Sequence, residues 1–323
     1  MFTSGTLGIP KGVMLTDDNI ITNLEYIDTY FRIDELRRIC IARPLLHIAV
    51  LTGEFLYALC KGLTIYFYED AFMPRRLLFF LSRNEIDVFC ATPTLYAALA
   101  KTRIEDKFAV KVAALSGEIL SEYTGKLLLD SFPNTAFYNV YGLTEHSPRV
   151  SALLPKEFPA RASSIGKPIG KVKMKIRDGE LLVKSPCVMK GYFCDDERTA
   201  DKIQDGWLHT GDMAHKDTEG YYYIDGRKDD MIIRAGLNIY PAEIENAAKE
   251  CSGIEDCIAF GRIDAKGETE IVLKYEGTAT PGGLRRELAS KLNIHIMPNK
   301  FEWVKRLERT PSGKKIRICY QKS

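Results

Sequence analysis

Short apolar runs alternate with amphipathic stretches along the first 150 residues of the chain. Five of the apolar runs have the length and composition of buried strands: residues 39–42, 63–68, 87–91, 110–116 and 136–140. The stretches between them have helical character: residues 17–31, 54–61, 74–82, 94–101 and 121–131. Strands that alternate with helices are typical of a mostly parallel sheet covered by helices. The pattern therefore predicts an α/β fold over residues 1–150.

The pattern changes after residue 164, where the strands become short and glycines become frequent. We expect a small β-rich part over residues 164–228, with strands at 172–177, 180–184 and 221–225. Beyond it, a compact α+β unit is predicted, with strands at 231–234, 255–262 and 270–275 and helices at 241–250 and 281–292. Because the charged stretch at Lys228–Asp229 offers little to bury, we place the domain boundary there. The expected domains are residues 1–228 and 229–323.

Composition and charge narrow the class of protein. The chain has 323 residues, of which 46% are hydrophobic, so it is long enough to form two domain cores. Its net charge of +2 provides no general attraction to nucleic acid or to anionic lipid. The most apolar run, residues 55–68, is interrupted by Lys61 and is too short to span a bilayer. The eight cysteines form no Cys-x-x-Cys pair, which favours a reducing, cytoplasmic location.

The segment from Thr3 to Gly12 is rich in glycine and in hydroxyl side chains. Glycines allow a backbone to turn tightly and to bring its amide groups close to an anion. Lys11 adds a positive charge that can reach a phosphate. The segment does not contain a Walker A pattern, in which Gly-Lys-[Ser/Thr] follows an earlier glycine at fixed spacing. Taken alone, it fits a polar surface turn as well as it fits a phosphate-binding loop.

Three further stretches follow in order: Tyr141-Gly-Leu-Thr-Glu145, Trp207-Leu-His-Thr-Gly-Asp212 with Gly226-Arg227 behind it, and Pro311-Ser-Gly-Lys-Lys315. Together with the N-terminal segment they resemble the adenylate-forming superfamily of acyl-CoA synthetases, aryl-CoA ligases, luciferases and peptide-synthetase adenylation domains. The resemblance implies that a carboxylic acid reacts with ATP, in the presence of Mg²⁺, to give acyl-AMP and pyrophosphate. It also implies that a thiol, from CoA or from the phosphopantetheine of an acyl carrier protein, then takes the acyl group.

The resemblance implies roles for individual residues at the nucleotide. In the N-terminal loop the phosphate contacts are Thr3, Ser4, Gly5, Thr6, Gly8 and Lys11. Further along the chain, the adenine and ribose contacts are Gly117, Glu118, Asn139, Tyr141, Gly142, Asp212 and Arg227. Thr144 would contact the α-phosphate and the substrate carboxylate, and Glu145 would bind Mg²⁺, a role suited to a carboxylate. Each of these residue types also occurs in ordinary turns and strand ends.

Three more roles fall in the C-terminal part. Lys314 matches the lysine that bridges the substrate carboxylate and the α-phosphate as negative charge develops. A basic residue beside Lys315 and Arg317 would otherwise be expected to be solvated. Asp229 matches the hinge residue of the family. Gly236 matches a glycine beside the pantetheine arm of the thiol, although an ordinary loop glycine explains it equally well.

His47 lies in residues 44–53, where the resemblance places the border of the carboxylate pocket. A lone histidine among apolar residues is more often a core residue, and that alternative stays open. Amino-acid-activating members carry an aspartate in this region to pair with the α-ammonium, and residues 43–53 contain none. A buried, unpaired ammonium is costly. We therefore expect a plain fatty or aryl acid as substrate, with an amino acid as the alternative if Glu54 replaces the aspartate.

In the family the phosphate loop lies well inside the chain, whereas here it begins at Met1. On this resemblance we expect roughly a third of the usual chain to be absent. We expect the loop to lack its anchoring strand, and ATP therefore to bind weakly. On that ground a second class of function stays open: a catalytically weak nucleotide-binding remnant, or one subunit of a split enzyme that pairs with a separate N-terminal polypeptide.

Overall fold

The computed structural model describes residues 1–4, 10–102, 108–234, 236–263, 268–309 and 315–317. By its internal contacts the chain divides into two units. The first consists of residues 1–210 and 214–224, and the second of residues 211–213 and 225–323. The main division thus falls at residues 224–225, and the domain boundary at residues 228–229 stays a prediction.

The first unit begins with an antiparallel hairpin of two strands, β1 (Phe2–Ser4) and β2 (Pro10–Met14). Phe2 lies opposite Gly12 in this pairing. The pairing continues beyond β1, because the amide of Val13 donates a hydrogen bond to the carbonyl oxygen of Met1 at 2.7 Å.

A seven-stranded sheet lies at the centre of the first unit. Its strands are β3 (Arg38–Ile41), β4 (Thr64–Phe67), β5 (Val88–Phe89), β6 (Val112–Leu115), β7 (Ala136–Gly142), β8 (Arg149–Leu153) and β9 (Lys167–Pro168). Their spatial order is β4-β3-β5-β6-β7-β8-β9. The strands from β4 to β7 pair in parallel, and β8 and β9 pair antiparallel. This sheet confirms the predicted α/β fold class.

Helices connect the strands, as parallel pairing requires. Those of the first unit are α1 (Asp17–Asp28), α2 (Ile48–Val50), α3 (Tyr57–Cys60), α4 (Pro74–Arg83), α5 (Pro93–Ala100), α6 (Glu122–Ser131), α7 (Phe158–Arg161) and α8 (Asp196–Lys202). A π-helical segment, Leu51–Leu56, joins α2 to α3. The helical stretch therefore begins at Ile48, earlier than the predicted residue 54, because Thr52 and Gly53 are weak helix formers on sequence alone.

Apolar side chains cover both faces of the seven-stranded sheet. Ile39 and Val88 pack on one face together with Ile27 of α1. Phe89 packs on the opposite face together with Tyr96 of α5. Burial on both faces explains why these strands read as continuous apolar runs rather than as alternating ones.

The β-rich part contains β10 (Lys173–Arg177), β11 (Glu180–Lys184), β12 (Gly191–Tyr192), β13 (Ile203–Gln204), β14 (Trp207–Lys216) and β15 (Tyr222–Arg227). Four of these strands form a sheet in the order β10-β11-β14-β13, and β15 also pairs with β14. The short strand β12 pairs instead with β2 of the N-terminal hairpin, with Tyr192 opposite Val13. The hairpin is thereby extended to three strands.

The second unit is a compact α+β structure. Its elements are β16 (Ile232–Arg234), β17 (Leu237–Ile239), α9 (Pro241–Lys249), β18 (Ile254–Ile263), β19 (Thr269–Gly277), α10 (Pro281–Ala289) and β20 (Lys300–Trp303). β18 pairs antiparallel with β19, and β20 adds in parallel to β19. Ile244 of α9 and Leu284 of α10 pack in one core with Leu273 of β19. Over the part of the chain that the structure describes, no helix has both the length and the apolar character needed to cross a bilayer.

Candidate nucleotide-binding site

Three predicted site segments follow the ends of parallel strands in the seven-stranded sheet. β3 leads to Arg43, β6 leads to Ser116, and β7 leads to Thr144. The Arg43 guanidinium connects two of these segments, since both of its terminal nitrogens lie 3.4 Å from Ser116 Oγ. Ligands of open α/β sheets bind at the edge where the parallel strands end. The fold therefore brings these segments to the edge where a nucleotide would bind.

Gly117 and Glu118 form the turn after β6. The φ of Gly117 is +91°, which lies in the left-handed region that favours glycine. The Glu118 carboxylate accepts hydrogen bonds from the amide and the hydroxyl of Thr94, at 3.1 and 2.5 Å. These bonds fix the turn to the first turn of α5, where a negative charge is favoured. Both residues are exposed, and their adenine contact stays a prediction.

Tyr141 and Gly142 end β7 where the pairing with β8 shifts its register. Such an irregularity re-aims the side chains beside it. A Cβ on Gly142 would lie 2.3 Å from the carbonyl oxygen of Pro148, so the close approach of the two strands requires glycine. Thr144 begins a 3-10 turn that also contains Glu145, and both residues are half-buried. The turn presents two of the predicted ligands side by side.

Asn139 lies inside β7 and is buried. Its side-chain amide donates hydrogen bonds to the carbonyl oxygens of Ala162 and Ser164, at 3.1 and 2.8 Å. These bonds tie β7 to the chain that leads into β9. The sequence analysis missed this structural role, and the nucleotide contact of Asn139 stays a prediction.

Paired strands flank the segment that is predicted to be the phosphate loop, contrary to our expectation. Gly5, Thr6 and Gly8 lie outside the described residues. At one end Thr3 and Ser4 belong to β1, which pairs with β2. At the other end β2 pairs in turn with β12. The expectation of a loop without an anchoring strand was wrong, because β1 pairs with β2 and β2 pairs with β12. The expectation of weak ATP binding stays a prediction.

Tyr192 connects the phosphate-loop hairpin to the turn that contains Glu145. Nζ of Lys11 lies 5.5 Å from the centroid of the Tyr192 ring, within the range of a cation–π interaction. The Tyr192 hydroxyl donates a hydrogen bond to Glu145 Oε1 at 2.8 Å. One buried side chain thus joins the predicted phosphate lysine to the predicted magnesium ligand. Tyr192 was not among the predicted site residues, since a Gly-Tyr dipeptide carries no signal of its own.

The chemistry of Glu145 fits a magnesium ion that arrives with ATP. Mg²⁺ at a nucleotide is usually bound by phosphates and water together with one or two carboxylates. Among the described residues no group of three histidine, cysteine or acidic side chains is placed to bind a metal ion. A single carboxylate beside a phosphate loop suits a cation shared with the nucleotide.

His47 stands just before α2 with extended backbone, at φ −89° and ψ 124°. Its amide donates a hydrogen bond to the carbonyl oxygen of Pro44 at 3.1 Å. The residue is half-buried, whereas Leu46 beside it is 82% exposed. His47 is therefore not an enclosed core histidine, and its position at the border of an acid pocket stays a prediction.

Buried charges lie beside this segment. Glu54, in the π-helical segment, is completely buried and forms an ion pair with Arg43. Burial raises the pKa of the Glu54 carboxyl, and Arg43 and Arg149 oppose that rise. Arg149 begins β8 and is 2% exposed. Its guanidinium packs against Gly53, where a Cβ would lie 2.9 Å from Nη2. The sequence analysis considered Glu54 but missed both arginines.

The second unit brings the two predicted ribose residues together. Asp212 is 7% exposed, and its Oδ1 accepts a hydrogen bond from Arg227 Nη1 at 2.8 Å. Asp229 lies in an exposed 3-10 turn that follows β15. Gly236 is exposed and has a φ of +78°, which a side chain would strain. The hinge and thiol roles of these last two residues stay predictions.

Lys314 lies outside the described residues, but the chain just after it is firmly held. Lys315 Nζ donates a hydrogen bond to Asp256 Oδ1 at 3.1 Å. Arg317 Nη1 donates one to Glu245 Oε1 at 2.8 Å. Both carboxylates are buried, in α9 and β18. These ion pairs fix the backbone on the C-terminal side of Lys314.

Within the first unit, a parallel sheet with predicted ligand segments at one edge and a hairpin at the predicted phosphate loop are typical of a nucleotide-binding enzyme of the α/β class. Comparison with known proteins agrees. The family model described as AMP-binding enzyme matches residues 1–193. The chain therefore belongs to the AMP-binding enzyme family, which confirms the resemblance drawn from the four motifs.

Several relatives are similar over nearly the whole chain. A feruloyl-CoA synthase of Amycolatopsis sp is 33% identical over 97% of this chain and 67% of its own length. A long-chain-fatty-acid–CoA ligase of Bacillus subtilis is 33% identical over 98% of this chain and 60% of its own length. The solved structure of o-succinylbenzoate CoA synthetase of Bacillus subtilis, with ATP and a magnesium ion, is 29% identical with a TM-score of 0.88. The match covers 100% of this chain and 69% of the synthetase chain. The chain thus spans about two thirds of the length of such relatives.

Proposed function

We propose that this chain activates a carboxylic acid with Mg²⁺ and ATP to acyl-AMP, and that it then transfers the acyl group to a thiol. The observation that carries the proposal is the contact of Tyr192 with both Lys11 and Glu145. In an adenylation the phosphates and the cation that these two side chains would bind belong to one complex of Mg²⁺ with ATP. Catalysis then consists largely of holding two anions in place and neutralising their charge.

In the first half-reaction, a carboxylate oxygen of the acid attacks the α-phosphorus of ATP. The bond from the α-phosphorus to the oxygen that bridges it to the β-phosphate breaks, and pyrophosphate leaves with the electron pair. Thr144 would contact the reacting groups, and Asp212 would accept hydrogen bonds from the ribose hydroxyls. Lys314 would neutralise the negative charge that develops between carboxylate and phosphate.

In the second half-reaction, a thiolate attacks the acyl carbonyl carbon and AMP leaves. The names of the relatives favour CoA as the acceptor, with a carrier-protein phosphopantetheine as the alternative. Gly236 is proposed to lie beside the pantetheine arm, where a side chain would obstruct it. Asp229 is proposed as the hinge that removes Lys314 between the two half-reactions.

The acid is proposed to lack an α-ammonium group. An amino-acid-activating site needs a carboxylate that is available to pair with that ammonium. Glu54 was the alternative for this role, but it is fully buried and already paired with Arg43. Its use by a substrate would leave a buried guanidinium without its counter-charge. This favours plain acids over amino acids.

The experiment measures acid-dependent pyrophosphate release by the purified chain. Matched pairs of acids, such as hexanoate with 2-aminohexanoate and 3-phenylpropanoate with phenylalanine, would be compared with and without CoA. We expect pyrophosphate release with plain acids, and a thioester when CoA is added. Preference for an amino acid would contradict the substrate assignment. Nucleotide binding without turnover of any acid would favour the alternative, a remnant or a subunit that needs a separate N-terminal polypeptide.

A further inference from the structure

Three buried charged side chains, Arg43, Glu54 and Arg149, form what we call the arginine–glutamate cluster. The exposed fractions are 0% for Glu54, 13% for the side chain of Arg43 and 2% for Arg149. Arg43 and Glu54 are in direct contact and neutralise each other. The charge of Arg149 remains. The cluster is therefore a buried site with an excess of one positive charge.

The guanidinium of Arg149 has no hydrogen bond to any residue that the structure describes, although its backbone is fully engaged. Its amide donates to Asn23 Oδ1 at 3.1 Å, and its carbonyl oxygen accepts from Asn23 Nδ2 at 2.9 Å. Within the same described part of the chain, Arg43 Nε and Glu54 Oε2 are also buried without a hydrogen-bond partner. Leaving charged donors and acceptors unsatisfied inside a protein is costly. A charged ligand that binds beside these groups would supply the hydrogen bonds and the charge that they lack.

The cluster adjoins the segments that are proposed to bind the reacting groups. Arg43 contacts Ser116, which directly precedes the turn at Gly117. Arg149 lies opposite Gly142 in the pairing of β8 with β7. Gly142 is in turn two residues before Thr144 in the chain. The phosphate contacts at Lys11 and Glu145 involve none of the three cluster residues. An anion at Arg149 would therefore belong to the acid rather than to the triphosphate.

We infer that Arg149 binds a second carboxylate at the far end of the substrate, so that the substrate class is dicarboxylic acids. This rests on the proposed function and narrows its plain acid to one with a distal anionic group. A guanidinium matches the geometry of a carboxylate with two parallel hydrogen bonds. Gly53 leaves room for the guanidinium at this position, since a Cβ there would lie 2.9 Å from Arg149 Nη2 and displace it. The second carboxylate balances the excess charge of the cluster.

The test compares dicarboxylates with monocarboxylates of equal length, such as hexanedioate with hexanoate and octanedioate with octanoate. Pyrophosphate release and calorimetric binding are measured for the wild type, Arg149→Leu and Arg149→Lys. Arg38→Leu is the matched control, because Arg38 is a half-buried arginine that is paired with Glu85 and belongs to none of the proposed site segments. Thermal unfolding of each variant shows whether it is folded. If Arg149→Leu does not fold, Arg149→Lys still tests the role of the guanidinium, because it keeps the positive charge.

We expect the wild type to favour a dicarboxylate, and Arg149→Leu to lower kcat/KM for it by about 10- to 100-fold, the usual cost of a lost charged hydrogen bond. The monocarboxylate should change by less than about threefold, and Arg149→Lys should be intermediate because it keeps the charge. The inference would be overturned if Arg149→Leu left the ratio of kcat/KM for the dicarboxylate to that for the monocarboxylate unchanged. It would also be overturned if the wild type bound no dicarboxylate. Dicarboxylate binding that depends on Arg149, without pyrophosphate release, would instead overturn the proposed function and leave this site standing.

Discussion

The hydroxyl of Tyr192 donates a 2.8 Å hydrogen bond to Glu145 Oε1, and the ring of Tyr192 lies 5.5 Å from Nζ of Lys11. The backbone of Tyr192 pairs with Val13 in the strand that follows the phosphate loop. A single residue thus fixes the strand, its lysine and the carboxylate that is proposed to bind Mg²⁺. We propose that Tyr192 would act on the nucleotide through these neighbours, as a positioning residue.

We expect Tyr192→Phe to raise the KM for ATP with Mg²⁺ by about 3- to 10-fold, because Glu145 loses the hydrogen bond that orients it. Pyrophosphate release at varied Mg²⁺ and ATP measures the effect. Tyr222→Phe is the control, since it removes a comparable phenol hydrogen bond, at 2.9 Å to the carbonyl oxygen of Met174. Equal effects in the two variants would show that Tyr192 only stabilises the fold.

Lys314→Ala should abolish acyl-AMP formation and spare the transfer of a supplied acyl-AMP to CoA. The reason is that the proposed charge neutralisation is needed only while the carboxylate attacks the α-phosphate. Pyrophosphate and thioester release are measured separately, with Lys305→Ala as an exposed lysine control. If Lys314→Ala slowed both half-reactions to the same extent, the proposal that Lys314 acts only in acyl-AMP formation would be wrong.

Nucleotide binding should respond differently to a change at the proposed ribose residue and to a change at the proposed phosphate lysine. Asp212→Ala should weaken AMP and ATP alike, by about 10-fold or more, because both nucleotides carry the ribose hydroxyls. Lys11→Ala should weaken ATP and leave AMP nearly unchanged, because AMP lacks the β- and γ-phosphates. Calorimetric titration with both nucleotides decides between these patterns. If Lys11→Ala weakened AMP as strongly as ATP, its assignment to the outer phosphates would be wrong.

The ion pairs beside Lys314 predict acid sensitivity of the fold. Burial alone would raise the pKa of Asp256, but Lys315, Lys249 and Arg309 outweigh burial and lower the pKa below 3.8. A carboxyl with a lowered pKa stabilises the fold above its unfolded pKa, and this contribution is lost as pH falls through the folded pKa. The free energy of unfolding should therefore decrease as pH falls below 3.8.

Asp256→Asn should reduce stability at neutral pH and flatten this acid dependence. Calorimetric unfolding of the full chain between neutral pH and about pH 2 measures both effects. Glu255→Gln is the matched control, because Glu255 precedes Asp256 but is exposed. An acid dependence that is as steep in Asp256→Asn as in the wild type would contradict the assignment.

Local pattern predicts the fold class well. The parallel strands are short apolar runs because both sheet faces are covered, and helices such as α6 follow from their spacing. The π-helical segment at Leu51–Leu56 was not predicted, since Gly53 reads as a break. Its glycine is explained only by Arg149, a residue distant in sequence that packs against it.

Short motifs point to candidate residues, but they do not reveal contacts between residues that are distant in sequence. Asp212 and Arg227 were both assigned to the ribose by the resemblance, and the structure places Arg227 Nη1 2.8 Å from Asp212 Oδ1, while the ribose role stays a prediction. Tyr192 and Glu145 meet across 47 positions of sequence, and no local pattern signals that contact. The anchoring of the phosphate loop was missed for the same reason, because it depends on the pairing of β2 with β12.

Acid-dependent formation of acyl-AMP tests the central claim most directly. The purified chain is incubated with ATP, Mg²⁺ and each acid of the panel, without thiol, and the products are identified by mass spectrometry. The account predicts an acyl-AMP, with one pyrophosphate released for each, from at least one carboxylic acid. Binding of ATP without acyl-AMP from any acid would contradict it.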